Sequence, residues 1–211
     1  MSEIKVVSFD AEGTLVTPRF SQAVWYEAIP MRYAGAKGMS FEQAKESVQQ
    51  QYHEVGDQRL EWYDIKYWFG RFALGDHQEV LNSYKHEIRY YPEVEEVLSL
   101  LGKSYELIVV SNSAREFLEL LLGDIERHFV GIFSSISDYG ELKTADFYLN
   151  VCRAMQIEPS EMVHVGDSWD FDFVIPKVCG IETFYLDRGG RSDGCEVVRD
   201  LKQFWEKLLS L

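Results

Sequence analysis

The chain has 211 residues, of which 46% are apolar, 27% charged and 14% aromatic, and its formal net charge is −14. That length allows one core domain plus an insertion, or two small domains, and the composition is that of a soluble globular protein with a sizeable core. The acidic balance excludes nucleic-acid binding through clustered Lys and Arg, but not a small phosphorylated ligand, for which a metal ion and one or two local cations suffice. Cys152, Cys179 and Cys195 are odd in number and lack CxxC spacing, which speaks against a disulfide framework or a structural zinc site. Cys152 and Cys179 fall in helical patterns and read as small buried apolar residues. No secretory signal or membrane span is recognisable, since the first apolar run is short and interrupted by acids. The expectation is a cytoplasmic protein with no membrane partner.

The first element is the run Val6–Phe9, a short apolar strand that stops at Asp10. Glu12 follows two positions later, and Gly13-Thr14 turn the chain. Open α/β sheets place ligands outside the carboxyl ends of their strands. Two carboxylates there can divide nucleophile or metal-ligand work from general acid–base work. Gly13 would let the backbone pass close to an anion. A strand ending in an acidic surface turn would give the same pattern.

From about Pro18 to about Tyr90 no convincing strand appears. The spacing predicts helices over 22–33, 41–55, 60–74 and 78–88. Ser40 with Gln43 forms a candidate capping box, and Asp76 a candidate cap for the last helix. Trp62, Ile65, Phe69 and Phe72 recur at helical spacing and read as bundle core. The cations Arg19, Arg32, Arg59, Lys66 and Arg71 read individually as solvated helix faces.

Alternation resumes at Tyr91-Pro92. Val94, Val97, Leu98 and Leu101 share one helix face, and apolar strands are predicted over 107–110, 132–135, 162–165 and 183–186. Val197, Leu201, Trp205 and Leu208 share a last helix face. Apolar strands alternating with helices predict a parallel sheet covered on both faces. The strand at 107–110 empties into Ser111-Asn112-Ser113 ahead of a helix beginning near Ala114. Hydroxyls and free N–H groups at that position suit an anion, although Ser113 would also serve simply as a helix cap. Lys143 lies just before a helix starting near Thr144, better placed than Lys103 or Lys177. The strand at 162–165 ends in Gly166-Asp167, with Asp170 and Asp172 beyond it. Such carboxylates at a strand end are hard ligands suited to Mg²⁺. His164, inside the strand, reads as a packed core residue.

Asp10-Ala11-Glu12-Gly13-Thr14, Ser111, Lys143 and Gly166-Asp167 with Asp172, each following a predicted strand, resemble in order the four motifs of the haloacid dehalogenase (HAD) superfamily. Its phosphatases carry Asp-x-Asp-Gly-Thr, so Glu12 is a departure. The resemblance implies a doubly wound parallel-sheet, Rossmann-like α/β core over 1–17 and 91–211, with a small all-helical cap domain over 18–90. It implies a Mg²⁺-dependent phosphatase for a small soluble phosphomonoester. Asp10 would be the nucleophile and Glu12 the general acid–base. Ser111, Asn112 and Lys143 would hold the phosphate. The metal would be held by Asp10, the backbone carbonyl of Glu12, and Asp167, with Asp172 acting directly, through water, or by holding Lys143. The partner expected is a small phosphorylated metabolite, and monomer and homodimer both stay open. Three alternatives share these residues. A 2-haloacid dehalogenase would use Asp10 on carbon without metal, but such enzymes place an aromatic residue where Glu12 stands. The Asp-x-Glu-Gly-Thr form resembles the enolase-phosphatase branch. A catalytically weak protein that only binds a phosphorylated ligand is the third.

Overall fold

A computed structural model describes residues 3–210. Its centre is a six-stranded sheet built from β1 (Val6–Phe9), β2 (Glu106–Ser111), β3 (Gly131–Ser134), β4 (Met162–Gly166), β5 (Glu182–Leu186) and β6 (Val197–Val198). The order is β3-β2-β1-β4-β5-β6, and every pairing is parallel. β1 is therefore central, with β2 on one side and β4 on the other. The chain reverses its winding direction there, and the ends of these three strands open into a common crevice.

The strands are apolar because both faces are covered. Val7, Phe9, Val109 and Val165 join one buried cluster with Val97, Leu98, Phe117, Leu118 and Phe204. Those partners come from α7 (Val94–Leu101), α8 (Arg115–Leu121) and α11 (Leu201–Leu208). Val6, Ile108, Val110 and Met162 pack on the opposite face against Phe147, Tyr148, Val151 and Cys152 of α9 (Ala145–Met155). Cys152 is buried as expected, Cys179 is half-buried and Cys195 is exposed. No helix among the described residues is long and apolar enough to cross a membrane.

Between β1 and α7 the chain makes a helical excursion. It comprises α1 (Arg19–Ala23), α2 (Ile29–Lys37), α3 (Phe41–Val55), α4 (Leu60–Tyr63), α5 (Ile65–Phe72) and α6 (His77–Tyr84). It leaves and returns side by side, since Thr17 N–H donates to Arg89 O at 2.8 Å and Tyr91 N–H to Leu15 O at 3.2 Å. α3 has the predicted bounds because Ser40 and Gln43 form the reciprocal capping box, and Asp76 caps α6.

Elsewhere the excursion differs from the sequence expectation. The 60–74 helix is broken at Asp64, whose carboxylate accepts from Lys66 and Tyr67 N–H and restarts the helix as α5. Trp62 is thereby detached from Ile65, Phe69 and Phe72 and is only partly buried. The first helix contains a wide π-helical turn over Val24–Ala28. Pro30 explains it: lacking an N–H, Pro30 cannot bond the Tyr26 carbonyl four residues back, and its ring crowds that turn. The same device recurs after β4, where the π-helical turn Trp169–Val174 precedes α10 (Ile175–Val178) and Pro176 stands four residues after Asp172. At the carboxyl end, Val197 belongs to β6 rather than to the last helix. Asp200 starts α11, whose buried face is Leu201, Phe204 and Leu208.

Arg188, just beyond β5, clamps the turn after β1. Its guanidinium donates to Gly13 O at 3.1 Å and Thr14 O at 2.8 Å, pairs with Glu93 at 2.8 Å, and lies 3.5 Å from the Tyr91 ring centroid. Removing it strands two carbonyls and a largely buried carboxylate. Arg188→Met is expected to lower stability by about 2–4 kcal/mol, read as the shift in urea midpoint at unchanged slope.

Candidate active site

Each of the three central strands delivers its polar residue at its carboxyl end: Asp10 after β1, Ser111 and Asn112 at the end of β2, and Asp167 after β4. Lys143 comes from the loop before α9, and Asp172 from the π-helical turn after β4. These residues, with Glu12, line one cavity of about 470 Å³ beneath the helical excursion.

Lys143 is 2% exposed, and its ammonium donates to Asp10 Oδ1 at 2.6 Å and Asp172 Oδ1 at 2.5 Å. Burial works against that charge, but the two carboxylates override it and hold Lys143 ionised above its usual range. The loop carrying Lys143 is fixed by Asn112, whose Oδ1 accepts from Lys143 N–H at 2.9 Å and from Ser135 Oγ at 2.8 Å. Thr144 then caps α9 by accepting from Phe147 N–H. Lys177, by contrast, pairs with Glu196 at the surface.

Asp172 is fully engaged. Besides Lys143, its Oδ1 is 3.1 Å from His164 Nε2, and its Oδ2 accepts from Ser168 N–H at 2.9 Å. Burial pushes its carboxyl up, yet Lys143 and His164 hold it well below the usual range. An ionised Asp172 requires the His164 proton on Nε2, leaving Nδ1 to accept from Ser8 Oγ at 2.9 Å. Burial lowers the His164 pKa, so the ring is neutral. His164 is thus the packed strand residue expected, with a definite bonding role.

Asp10 and Asp167 are less satisfied. Burial, partly offset by Lys143, pushes Asp10 up to about 6. Asp167 faces the open cavity, and enclosure of its carboxyl together with repulsion from Asp10 and Asp172 pushes it up to about 8. One carboxylate oxygen from each of Asp10, Asp167 and Asp172 lies within 4.8 Å of the others. Two glycines make room for this crowding. A Cβ on Gly13, whose φ is +82°, would come 2.1 Å from Asp167 Oδ2, and one on Gly166 would come 2.4 Å from Asp172 Cγ. The close approach expected of Gly13 is therefore to a carboxylate of the protein itself.

Glu12 turns its longer side chain to Ser21 of α1, whose hydroxyl donates to Glu12 Oε2. Burial, eased by Ser21 and reinforced by Asp10, pushes Glu12 up to about 7. Ser111 Oγ accepts from Ser113 N–H at 3.2 Å. Ser113 does not cap α8; the first N–H of that helix, on Arg115, is taken by Ser137 Oγ at 3.0 Å. Asp170 stands exposed in the π-helical turn. Ser21, Tyr63 and Arg188 carry no local signal in the sequence, because each acts on a residue distant in the chain. The Tyr63 hydroxyl reaches the field of Lys143 and Asp10 beside Asn112.

The open α/β sheet thus gathers buried Asp10 and Ser111 at its central strand ends, with buried Lys143 reaching them from the loop before α9. A family model described as haloacid dehalogenase-like hydrolase matches residues 4–175, and the chain belongs to that family. Part of the sequence is similar to the GMP/IMP nucleotidase YrfG of Escherichia coli strain K12, at 31% identity over 72 residues. That match spans 34% of this chain and 32% of YrfG. The fold is similar to that of a HAD phosphatase from Thermococcus onnurineus, with a TM-score of 0.87 and 23% identity over 97% of this chain and 98% of that one. It is also similar to a 2-haloacid dehalogenase from Pseudomonas syringae pv. Tomato DC3000, with a TM-score of 0.72 and 20% identity over 98% and 99%.

Three carboxylates facing one ammonium leave like-charge repulsion unrelieved at Asp167. Asp167→Asn is expected to raise the thermal midpoint of the protein in chelator, worth about 0.5–2 kcal/mol, while abolishing any stabilisation by added Mg²⁺. Thermal melts of both proteins, with chelator and with Mg²⁺, check both halves.

Proposed function

We propose that this HAD-family hydrolase is a Mg²⁺-dependent phosphatase acting on a small phosphomonoester. The observation that carries this reading is the placement of Glu12. A carboxyl group anchored by Ser21 lines the same cavity as Asp10, Ser111 and Lys143. A departing alkoxide needs a proton and a departing halide does not, so the arrangement favours a phosphate ester over a 2-haloacid. The nucleotidase relative, though matched over only a third of its length, is itself named for a phosphomonoester substrate.

In the proposed reaction an Asp10 oxygen attacks phosphorus in line and the bond to the alcohol oxygen breaks. Glu12 gives that oxygen its proton. A water then attacks phosphorus in the aspartyl-phosphate, Glu12 takes the water's proton, and Asp10 is freed as inorganic phosphate leaves. Lys143, the Ser111 hydroxyl and the backbone N–H of Asn112 hold the peripheral phosphate oxygens, and their fixed positions supply most of the catalysis. The acidic trio fits a small hard cation in donor type and spacing. Asp10 and Asp167 would hold Mg²⁺, with the Glu12 carbonyl by family resemblance, and the ion would offset repulsion between Asp10 and the incoming phosphate. Asp172, with both oxygens engaged, serves by gripping Lys143. Residues 18–90 act as a cap over a core of 1–17 and 91–211, joined to it by the two segments that bridge at Val16 and Tyr90, and exclude water from the closed site.

Wild-type protein with Mg²⁺ is expected to release inorganic phosphate from phosphomonoesters and to stop in chelator. Asp10→Asn should lose at least about 1,000-fold in kcat. Chloride release from a 2-haloacid in chelator would replace this reading with dehalogenation. Stabilisation by phosphate esters without any hydrolysis would replace it with binding alone.

Ser21 is a positioning residue in this scheme. Ser21→Ala should lower kcat about tenfold or more on alkyl phosphates, which need the acid, and far less on 2,4-dinitrophenyl phosphate, whose leaving group does not. Equal losses on both esters would remove Ser21 from the scheme.

A further inference from the structure

The wall of the cavity facing the helical excursion is aromatic. Trp25 and Tyr26 come from the π-helical turn, Tyr52 from α3, Trp62 and Tyr63 from α4, and Phe117 reaches in from α8. The rings hold one another in place. Trp25 and Phe117 are parallel, 5.6 Å apart with 5° between their planes. Tyr52 meets Trp25, Trp62 and Tyr26 edge-on at 5.9, 6.2 and 6.3 Å, and its hydroxyl donates to Trp25 O at 3.2 Å. Yet Trp25, Trp62 and Tyr63 are only partly buried and Tyr26 is exposed. A rigid set of rings left incompletely covered beside a charged centre is a ligand surface rather than core.

The charges in the cavity narrow the choice. Among the described residues Lys143 is its only cationic lining side chain, and both Asp10 and Asp172 already claim it. Five of the excursion's cations are engaged elsewhere, Arg19 with Glu87, Arg32 with Glu79, Arg59 with Glu61, Lys66 with Glu116, and Arg71 with Glu54, and Lys37, Lys45, Lys85 and Arg89 do not line the cavity. The other charged group on the outer wall is Asp57, in the turn after α3, which makes no ion pair among the described residues and whose charge bears on the Tyr63 hydroxyl. A second anionic group on the substrate would meet no counter-charge there and would face a carboxylate. The volume of about 470 Å³ is that of a pocket for a drug-sized molecule, too large to be filled by the phosphate of a two- or three-carbon alcohol.

Resting on the phosphatase reading of the same site, we infer that the preferred substrates are phosphomonoesters whose alcohol carries a flat ring and no negative charge, the ring lying against Trp25 and its neighbours with hydrogen-bond donors turned to Asp57. Nucleoside monophosphates belong to this class. Short phosphorylated carboxylic acids and bisphosphates do not.

The test compares kcat/KM for the near-isosteric pair 4-carbamoylphenyl phosphate and 4-carboxyphenyl phosphate, together with inosine 5′-monophosphate, 2-phosphoglycolate and phosphocholine. The carbamoyl ester is expected to exceed the carboxy ester by about tenfold or more, and both it and the nucleotide to exceed 2-phosphoglycolate. Asp57→Asn, an exposed substitution, should raise the carboxy ester's kcat/KM and shrink that ratio by about threefold or more. Equal rates on the aryl pair would overturn the inference while leaving the phosphatase reading in place. A preference for phosphocholine would overturn it in favour of a cation held by the rings. No phosphate release from any of these esters or from p-nitrophenyl phosphate would sink the phosphatase reading itself.

Discussion

One buried ammonium group organises this molecule. Lys143 sits under the sheet's central crevice with carboxylates of Asp10 and Asp172 within 2.6 Å. Burying an isolated charge costs several kcal/mol, and the cost is offset here only because each partner is fixed from a different element. Asp10 is carried by β1, Asp172 by the turn after β4, and the lysine's own loop by Asn112 at the end of β2. The ion pairs therefore tie together the ends of the three central strands. They also fix the protonation of the groups behind them, since an ionised Asp172 sets the His164 tautomer and His164 in turn holds Ser8 on the neighbouring strand. The charge balance stays incomplete, because among the described residues no cation pairs with Asp167.

Such crowding is possible only where the backbone gives way. Gly13 and Gly166 each occupy a place where a single methyl group would collide with a carboxylate. Pro30 and Pro176 work in the opposite sense, by taking away a helical hydrogen bond. Each opens a π-helical turn that carries residues into the cavity, Trp25 and Tyr26 on one side and Asp172 on the other. Both prolines stand in the first turn of the α-helix that follows, and each sits four residues after a residue that lines the site, where its missing N–H releases that residue's carbonyl.

How far the sequence could be read follows from the range of each interaction. Strands β1 to β5 were legible because doubly covered parallel strands are continuous apolar runs, and α3 because Ser40 and Gln43 are its own local cap. β6 has two residues and no periodicity, so Val197 merged with the helix beyond it. The break at Asp64 was written locally, as an acid able to accept N–H bonds two and three residues on, but the apolar spacing on either side of it concealed it. Asp10, Ser111, Lys143 and Asp167 were legible as polar residues stranded at the ends of apolar strands or, for Lys143, ahead of a helix. Ser21, Tyr63 and Arg188 were not, since nothing within a few residues of them differs from an ordinary helix or loop.

Ser21 shows why the longer acid at position 12 is not simply a misplaced aspartate. An extra methylene moves a carboxyl by on the order of 1 Å, enough to matter for proton transfer if nothing else changes. Here the displaced carboxyl is met by a hydroxyl from α1, in the helical excursion rather than in the sheet. The sheet thus holds Asp10 and Lys143, while the excursion holds the far end of Glu12 as well as the aromatic wall. On the proposed reading the nucleophile and the phosphate cradle are complete in the core alone, whereas the acid and the leaving-group pocket are complete only when the excursion is seated. Such a division couples proton delivery to closure: an ester too small or too charged to settle against the rings would leave the segment unseated and Glu12 without its anchor. Selectivity would then be expressed in the chemical step as well as in binding.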